Sequence, residues 1–389
     1  MRVGLFISSW DPQINGVITS VKELQSGLQA LGVDAYVITS GNVEKPTIIG
    51  KVVYLPGKEN KRWNTNSINF LSEENINFVS RLGLSVVHTH QENTLGFLGA
   101  IIAKRNNIPH VSTWHTCYYD YKHYVLYNLF YIETIMEKIA ARKYCGKKVQ
   151  AVITPSKKIA DYLKRKLKIY HEPHIIETGI HLNFDSICDA EKQELRDELG
   201  IEKDDFIVSY IGRVAKEKNI EFLIEAQIPL NTVDKHIKLL IVGDGPELSH
   251  LKKYVTQLGL QDRVIFTGKI PHEEVYKYYQ ISDVFATAST TETQGLSVLE
   301  ALSNGVPVCC IKDDAYKYIM KNNYNGMMFS NIQGYVNAIL DFRNKDLTTL
   351  KKNAIKSSRK YDNISFASEV LKVYRECIAK KKEEDQKRR

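Results

Sequence analysis

Short apolar runs recur along the chain, separated by longer stretches in which apolar residues return every three or four positions. Val3 to Ile7, Val33 to Thr39, Val52 to Leu55, Val86 to Thr89, His110 to Thr113 and Ala151 to Thr154 read as strands. Between them, a helix opens at Gly16 and runs to about Leu31, where Gly32 stops it. Another covers about Thr94 to Asn106, ahead of Ile108-Pro109, and Ser156 is placed to cap a third. From His171 to Phe184 the alternation breaks around Pro173 and Gly179, which predicts a junction.

The pattern restarts at Phe206. Strands at Ile207 to Gly212, Leu239 to Gly243, Val264 to Gly268, Asp283 to Ala286 and Gly305 to Ile311 alternate with helices. Those helices cover about Ile220 to Gln227 and Glu247 to Leu258, start near His272, and start again after Gly295. A long helix follows from about Phe366. Alternating strands and helices predict an α/β fold with parallel sheets. The expected division is residues 1–175, residues 176–365, and a C-terminal helix with a basic tail over 366–389. Ligands of such sheets gather at the carboxyl ends of the strands, and two facing units would form a cleft suited to a nucleotide-linked substrate.

Composition narrows the class. At 389 residues, 43% hydrophobic and 25% charged, the chain resembles an ordinary globular protein with room for two cores. Its apolar runs are far shorter than a bilayer span, and the strand-like N-terminus lacks a cleavable signal pattern, so folding in the cytoplasm is expected. The six cysteines have no C-x-x-C spacing and read as small buried hydrophobes. The net charge of +8 is unevenly spread. Lys143, Lys147, Lys148, Lys157, Lys158, Lys164, Arg165, Lys166 and Lys168 crowd one stretch. Such a patch suits anionic lipid, nucleic acid or a solvated face; no nucleic-acid motif accompanies it.

Candidate chemistry centres on Glu292 and Glu300, eight positions apart, around Thr293-Gln294-Gly295-Leu296. A helix beginning there offers free N–H groups and a positive dipole end, a seat for phosphate. Taken alone, a solvated acidic loop is the plainer account. Arg213 and Lys218, at a strand end, would neutralise a departing diphosphate. Gly243-Asp244-Gly245-Pro246 allows a tight turn or close approach of a ligand but lacks the dinucleotide fingerprint. Gly16 offers an N–H at a helix start. His115, after a strand, is placed for hydrogen bonding or proton transfer. Tyr118, Tyr119, Tyr121, His123 and Tyr124 would stack on a sugar, sit among lipid headgroups or pack in the core. His88 and His90 read as structural.

In this order, the glycine loop, strand-end histidine, Arg213 with Lys218, the Gly-Asp-Gly-Pro turn and the spaced glutamates resemble the retaining glycosyltransferases of family four, from Arg2 to about Tyr374. The resemblance implies the GT-B fold, two Rossmann-like units with a cleft between them. Within the family, the stretch His115 to Tyr124 and the run Thr291 to Leu296 are similar to bacterial enzymes that glucosylate diacylglycerol. Many relatives carry an aromatic where Gln294 stands. His181 replaces the acidic residue usually found after Gly179-Ile180, so its role is not carried over.

The resemblance implies that Glu300 holds the nucleotide ribose and Glu292 the donor sugar, with Arg213, Lys218 and Gly16 on the diphosphate and His115 near the reacting carbon. Gly243, Gly245, Thr293, Gln294, Gly295 and Leu296 would complete the donor site. Tyr118, Tyr121, Lys157, Lys158, Lys164, Arg165, Lys166 and Lys168 would face the acceptor and membrane. No cofactor and no obligatory metal are expected, since the protein's cations take that role. A front-face reaction within an ion pair is favoured over a covalent two-carboxylate route. The expected reaction moves a hexose, glucose from UDP-glucose, to diacylglycerol, by a peripheral enzyme on the inner face of the cell membrane. The partners are then a nucleotide sugar, a lipid acceptor and an anionic membrane surface, with no nucleic acid. Alternatives are a family-four enzyme with a sugar, polysaccharide or protein acceptor, an epimerase on the same fold, or a non-catalytic partner subunit.

Overall fold

The computed structural model describes residues 1–10, 15–60, 65–117, 130–182 and 186–388. Its described strands form two sheets, one in each of two compact units.

The first unit holds β1 (Arg2–Phe6), β2 (Asp34–Gly41), β3 (Thr47–Ile49), β4 (Val52–Asn60), β5 (Thr65–Ile68), β6 (Val86–Thr89), β7 (His110–Thr113), β8 (Ala151–Thr154) and β9 (His174–Ile175). Their order is β3-β4-β2-β1-β6-β7-β8-β9, with β5 paired to β4. All pairs are parallel except β3 with β4 and β4 with β5. β6, β7 and β8 are buried along their whole length; β6 and β8 are mostly apolar, whereas β7 buries His110 and Thr113 with hydrogen-bond partners on β6. The helix Gly16–Ala30 packs Ile18, Val21, Leu24 and Leu28 onto this core. Asn15 caps it, its side chain accepting from the N–H of Val17 and of Ile18, each at 3.0 Å.

The second unit has six parallel strands: β10 (Phe206–Ile211), β11 (Ile237–Val242), β12 (Val264–Gly268), β13 (Val284–Thr287), β14 (Val308–Ile311) and β15 (Gly326–Phe329). The order is β12-β11-β10-β13-β14-β15. The chain winds outward from β10, then returns to build the other half from β13. The winding therefore reverses between β10 and β13, whose carboxyl ends flank the usual ligand position of such sheets.

The units divide differently from the sequence expectation. One comprises Met1–His181 with Tyr361–Arg389, the other Leu182–Lys360. Residues 176–181 stay with the first unit because Thr178 bonds Ser20 (3.1 Å) and the Ile180 N–H donates to the Tyr361 carbonyl (2.8 Å). The C-terminal helix, Asn363–Arg388, is an integral part of that unit. Phe366, Ala367, Val370, Leu371 and Tyr374 complete the core beneath β1.

Several elements escape the sequence pattern. The helix Asp189–Glu198 has no buried residue, so it shows no apolar period. The strands β3, β5 and β15, and the helices Glu73–Ser80, Ile332–Arg343 and Thr348–Ser358, were likewise not predicted. The region near Ile220 forms two short helices, Ile220–Glu225 and Gln227–Val233. Cys188 departs from the expectation that all six thiols are buried. It is exposed because it caps Asp189–Glu198, where its N–H donates to Glu191 (2.8 Å).

Candidate active site

In the second unit, Gly212 and Arg213 follow β10 and the loop 288–295 follows β13, so both leave the sheet where its winding reverses. Lys218 ends a short 3-10 turn, Lys216–Lys218. Its Nζ lies 2.5 Å from Glu292 Oε1, which brings together two residues 74 positions apart. Both side chains are partly sheltered, 22% and 17% exposed, where Coulomb attraction is screened less than at an open surface. The pairing is built from below: Ser289 Oγ (3.4 Å) and Thr291 Oγ1 (3.3 Å) donate to the Glu217 carbonyl, tying the Glu292 loop to the Lys218 turn. Arg213 is exposed, while its carbonyl accepts from the buried Tyr210 hydroxyl at 2.8 Å.

Gly295 converts this loop into the helix Leu296–Ser303 with φ 89°, and no side chain caps the helix there. Tyr316 lies against it, and its hydroxyl donates to the Ser289 carbonyl (3.2 Å). Burial first, and Glu292 second, push the Tyr316 phenol up, so it remains a neutral donor. Glu300 sits in the second turn of the helix. Its Oε2 is 3.1 Å from the Tyr279 hydroxyl, which also lies 3.2 Å from the Ser297 carbonyl. Tyr279 is likewise held neutral by burial and then by Glu300. Gln294 is buried, Thr293 and Leu296 are partly covered.

Gly243 and Gly245 have a structural reason of their own. A Cβ on Gly243 would lie 2.0 Å from the Gly212 carbonyl oxygen, and one on Gly245 2.2 Å from that of Val214. The turn packs backbone to backbone against the segment carrying Arg213.

The first unit places Gly16 and His115. Gly16 is the exposed first residue of its helix; Asn15 already occupies the next two N–H groups. His115 follows β7, and its Nε2 is 3.1 Å from Nδ1 of His90, which follows β6. Beside them, His88 bonds Tyr374 and Thr113, each at 2.6 Å, and His110 bonds Thr89 at 2.9 Å. Burial depresses all four imidazoles, His110 and His115 to about 4. The reading of His88 as structural fits its two hydroxyl partners, whereas His90 reaches a candidate site residue. Tyr118 and Tyr121 lie outside the described residues, as do Tyr119, Asp120, Lys122, His123 and Tyr124.

The basic stretch forms the helix Lys157–Tyr162 and a wider turn, Leu163–Leu167, ending at Lys168 in the left-handed region. Ile159, Leu163 and Leu167 are buried, and Lys157, Arg165, Lys166, Lys168 and Tyr170 are exposed. Lys164 pairs with Glu172 at 2.9 Å. No helix among the described residues is long and apolar enough to cross a membrane.

Among the described residues, two groups of side chains converge closely enough to ligate a metal. In Glu202, Asp205 and His236, the Asp205 carboxylate is already 2.7 Å from Lys238; in the other group, Glu221 and His250 are exposed and already paired at 2.8 Å, with Glu247 half-buried. Neither includes a candidate site residue. Tyr210, Tyr279 and Tyr316 support the site without any signal in the sequence, since a buried tyrosine reads like any other core aromatic.

Two Rossmann-like units, with cations and carboxylates at the carboxyl ends of the second sheet, are the architecture of the GT-B glycosyltransferases. Family models agree: residues 14–184 match glycosyltransferase family 4 and residues 191–361 match glycosyl transferases group 1. The chain belongs to the family-four glycosyltransferases. It is 35% identical over 395 residues to alpha-monoglucosyldiacylglycerol synthase of Acholeplasma laidlawii, covering 98% of each chain. The Streptococcus pneumoniae enzyme of the same name is 32% identical over 346 residues, 88% of this chain and 78% of that one. Among solved structures, sucrose-phosphate synthase from Thermosynechococcus elongatus shares the fold with a TM-score of 0.79 at 22% identity, covering 97% and 99% of the two chains. Anabaena HepE, solved with UDP and glucose, gives 0.75 at 18% identity, covering 96% and 98%.

Proposed function

We propose that this protein transfers glucose from UDP-glucose to diacylglycerol, retaining the configuration at the anomeric carbon. The observation that carries this reading is the identity with the Acholeplasma enzyme across 98% of both chains. The second unit supplies matching chemistry. Arg213 and Lys218 neutralise the diphosphate as the bond from the anomeric carbon to its oxygen breaks. Glu292 accepts from hydroxyls of the sugar, and Glu300 from those of the ribose. The acceptor hydroxyl attacks from the face the diphosphate leaves, and its proton passes to the departing phosphate oxygen, so charge and atoms balance. With two cations at the leaving group, the reaction requires no metal.

His115 contacts substrate through its imidazole, and the main-chain N–H of Gly16 approaches the diphosphate. The acceptor is drawn from an anionic membrane surface. Lys157, Lys158, Lys164, Arg165, Lys166 and Lys168 lie on one segment shortly before exposed Tyr170, and each cation near such a surface adds about 1 kcal/mol. The protein is accordingly a peripheral enzyme of the inner face of the cell membrane, with no nucleic-acid partner.

The test is product analysis with UDP-glucose and diacylglycerol in vesicles containing anionic lipid. Wild type should form a monoglucosyl lipid, and Glu292→Ala should lower kcat by about 10²-fold or more while remaining folded. Donor hydrolysis without glycolipid would retain the donor site and reject the lipid acceptor.

A further inference from the structure

His90 and His115 leave neighbouring strands of one sheet and meet ring to ring. Their centroids are 5.4 Å apart with planes inclined by 26°, and the N···N distance joins Nδ1 of His90 to Nε2 of His115. We infer that His90 is a positioning residue: it holds Nε2 of His115, so that His115 meets its substrate through Nδ1. This deepens the proposed function and rests on it for the identity of the substrate.

The constraint follows from counting nitrogens. Depressed by burial, both rings are neutral, and each carries a single N–H. One of those protons bridges the pair, whichever ring donates it. Nε2 of His115 is thereby consumed, and Nδ1 is the remaining polar atom of the side chain in a residue that is 8% exposed. His90 is 2% exposed and its own Nε2 is buried without a partner among the described residues, so one hydrogen bond accounts for its polar contact there. The His90 ring also packs against His88, 4.1 Å away centroid to centroid. His88 is anchored in turn by Tyr374 and Thr113. A core histidine kept for volume alone would not need its Nδ1 aimed at a residue emerging from the next strand.

Side-chain length separates the two nitrogens experimentally. The amide of Asn reaches the place of Nδ1, that of Gln the place of Nε2. At position 90, His90→Asn should retain kcat within about threefold. His90→Gln and His90→Phe should lose about 10²-fold in kcat, with KM for UDP-glucose little changed, because a misoriented ring costs reactivity more than binding. At position 115, His115→Asn should exceed His115→Gln by about tenfold. Gln equal to or better than Asn at either position overturns the inference.

A readout independent of glycolipid formation accompanies the assay. In protein labelled with nitrogen-15 histidine, His90→Phe should shift the His115 Nε2 resonance and His90→Asn should leave it near the wild-type position. UDP-glucose should then perturb His115 Nδ1 more than Nε2. An Nε2 resonance unmoved by His90→Phe, or perturbed first by UDP-glucose, rejects the positioning role even if no lipid product forms. Absence of product together with the expected resonances rejects the lipid acceptor alone.

Discussion

Gly295 stands with φ 89° between the loop that carries Glu292 and the helix that carries Glu300, a region that side chains other than glycine enter at a cost. A Cβ there would lie 2.7 Å from the Tyr316 ring, so steric conflict adds to backbone strain. Gly295→Ala should destabilise the second unit by about 1–3 kcal/mol, read as a lower midpoint in urea unfolding. It should also lower transferase activity, since Tyr316 braces Ser289 in the same loop. The neighbouring Lys218 and Glu292 neutralise each other when no donor is bound. In the proposed reaction the diphosphate would replace Glu292 as the anionic partner of Lys218, and sugar hydroxyls would replace Lys218 at Glu292.

At the scale of elements, the turn over Lys157 to Lys168 divides its residues by face. Ile159, Leu163 and Leu167 fasten it to the core of the first unit, while Lys157, Arg165, Lys166 and Lys168 stand exposed outside that core. Replacing Arg165, Lys166 and Lys168 together by Ala should leave the thermal midpoint within a few degrees, because exposed charges contribute little to stability. Binding to vesicles of anionic lipid, read by flotation, should fall by about 10²-fold, three cations at about 1 kcal/mol each, with little change for neutral vesicles. Equal binding of wild type to both vesicle types would reject the electrostatic docking.

For the whole molecule, four buried imidazoles of the first unit set its response to acid. Burial holds His88, His90, His110 and His115 below their ordinary value, so the unfolded chain takes up protons first as pH falls. Their contribution is complete above about pH 6.5 and is lost toward the folded value of about 4 for His110 and His115, at about 3 kcal/mol each. Glu23 and Asp283 act in the opposite sense, their carboxyls raised by burial, but they are two groups against four. Urea midpoints should fall steeply between pH 6.5 and 4, and His110→Gln should flatten the slope. Chain termini matter on this scale too. Truncation before Phe366 removes Val370, Leu371 and Tyr374 from the core under β1, and should unfold the first unit and leave the second folded, as judged by proteolysis.

The sequence alone determined the two α/β units, because most strands buried on both faces are rich in apolar residues and their crossover helices carry a periodic face. It also marked Arg213, Lys218, Glu292 and Glu300, since ionisable groups close to glycine turns stand out locally. It left the helix Asp189–Glu198 unread, for that helix buries nothing, and it set the terminal helix apart although Tyr374 reaches His88 across 286 positions. Tertiary structure alone decided that Lys218 pairs with Glu292, that three buried tyrosines brace the site, and that His90 meets His115. These depend on strand order in a parallel sheet, which places the ends of distant segments side by side and leaves no periodic trace along the chain.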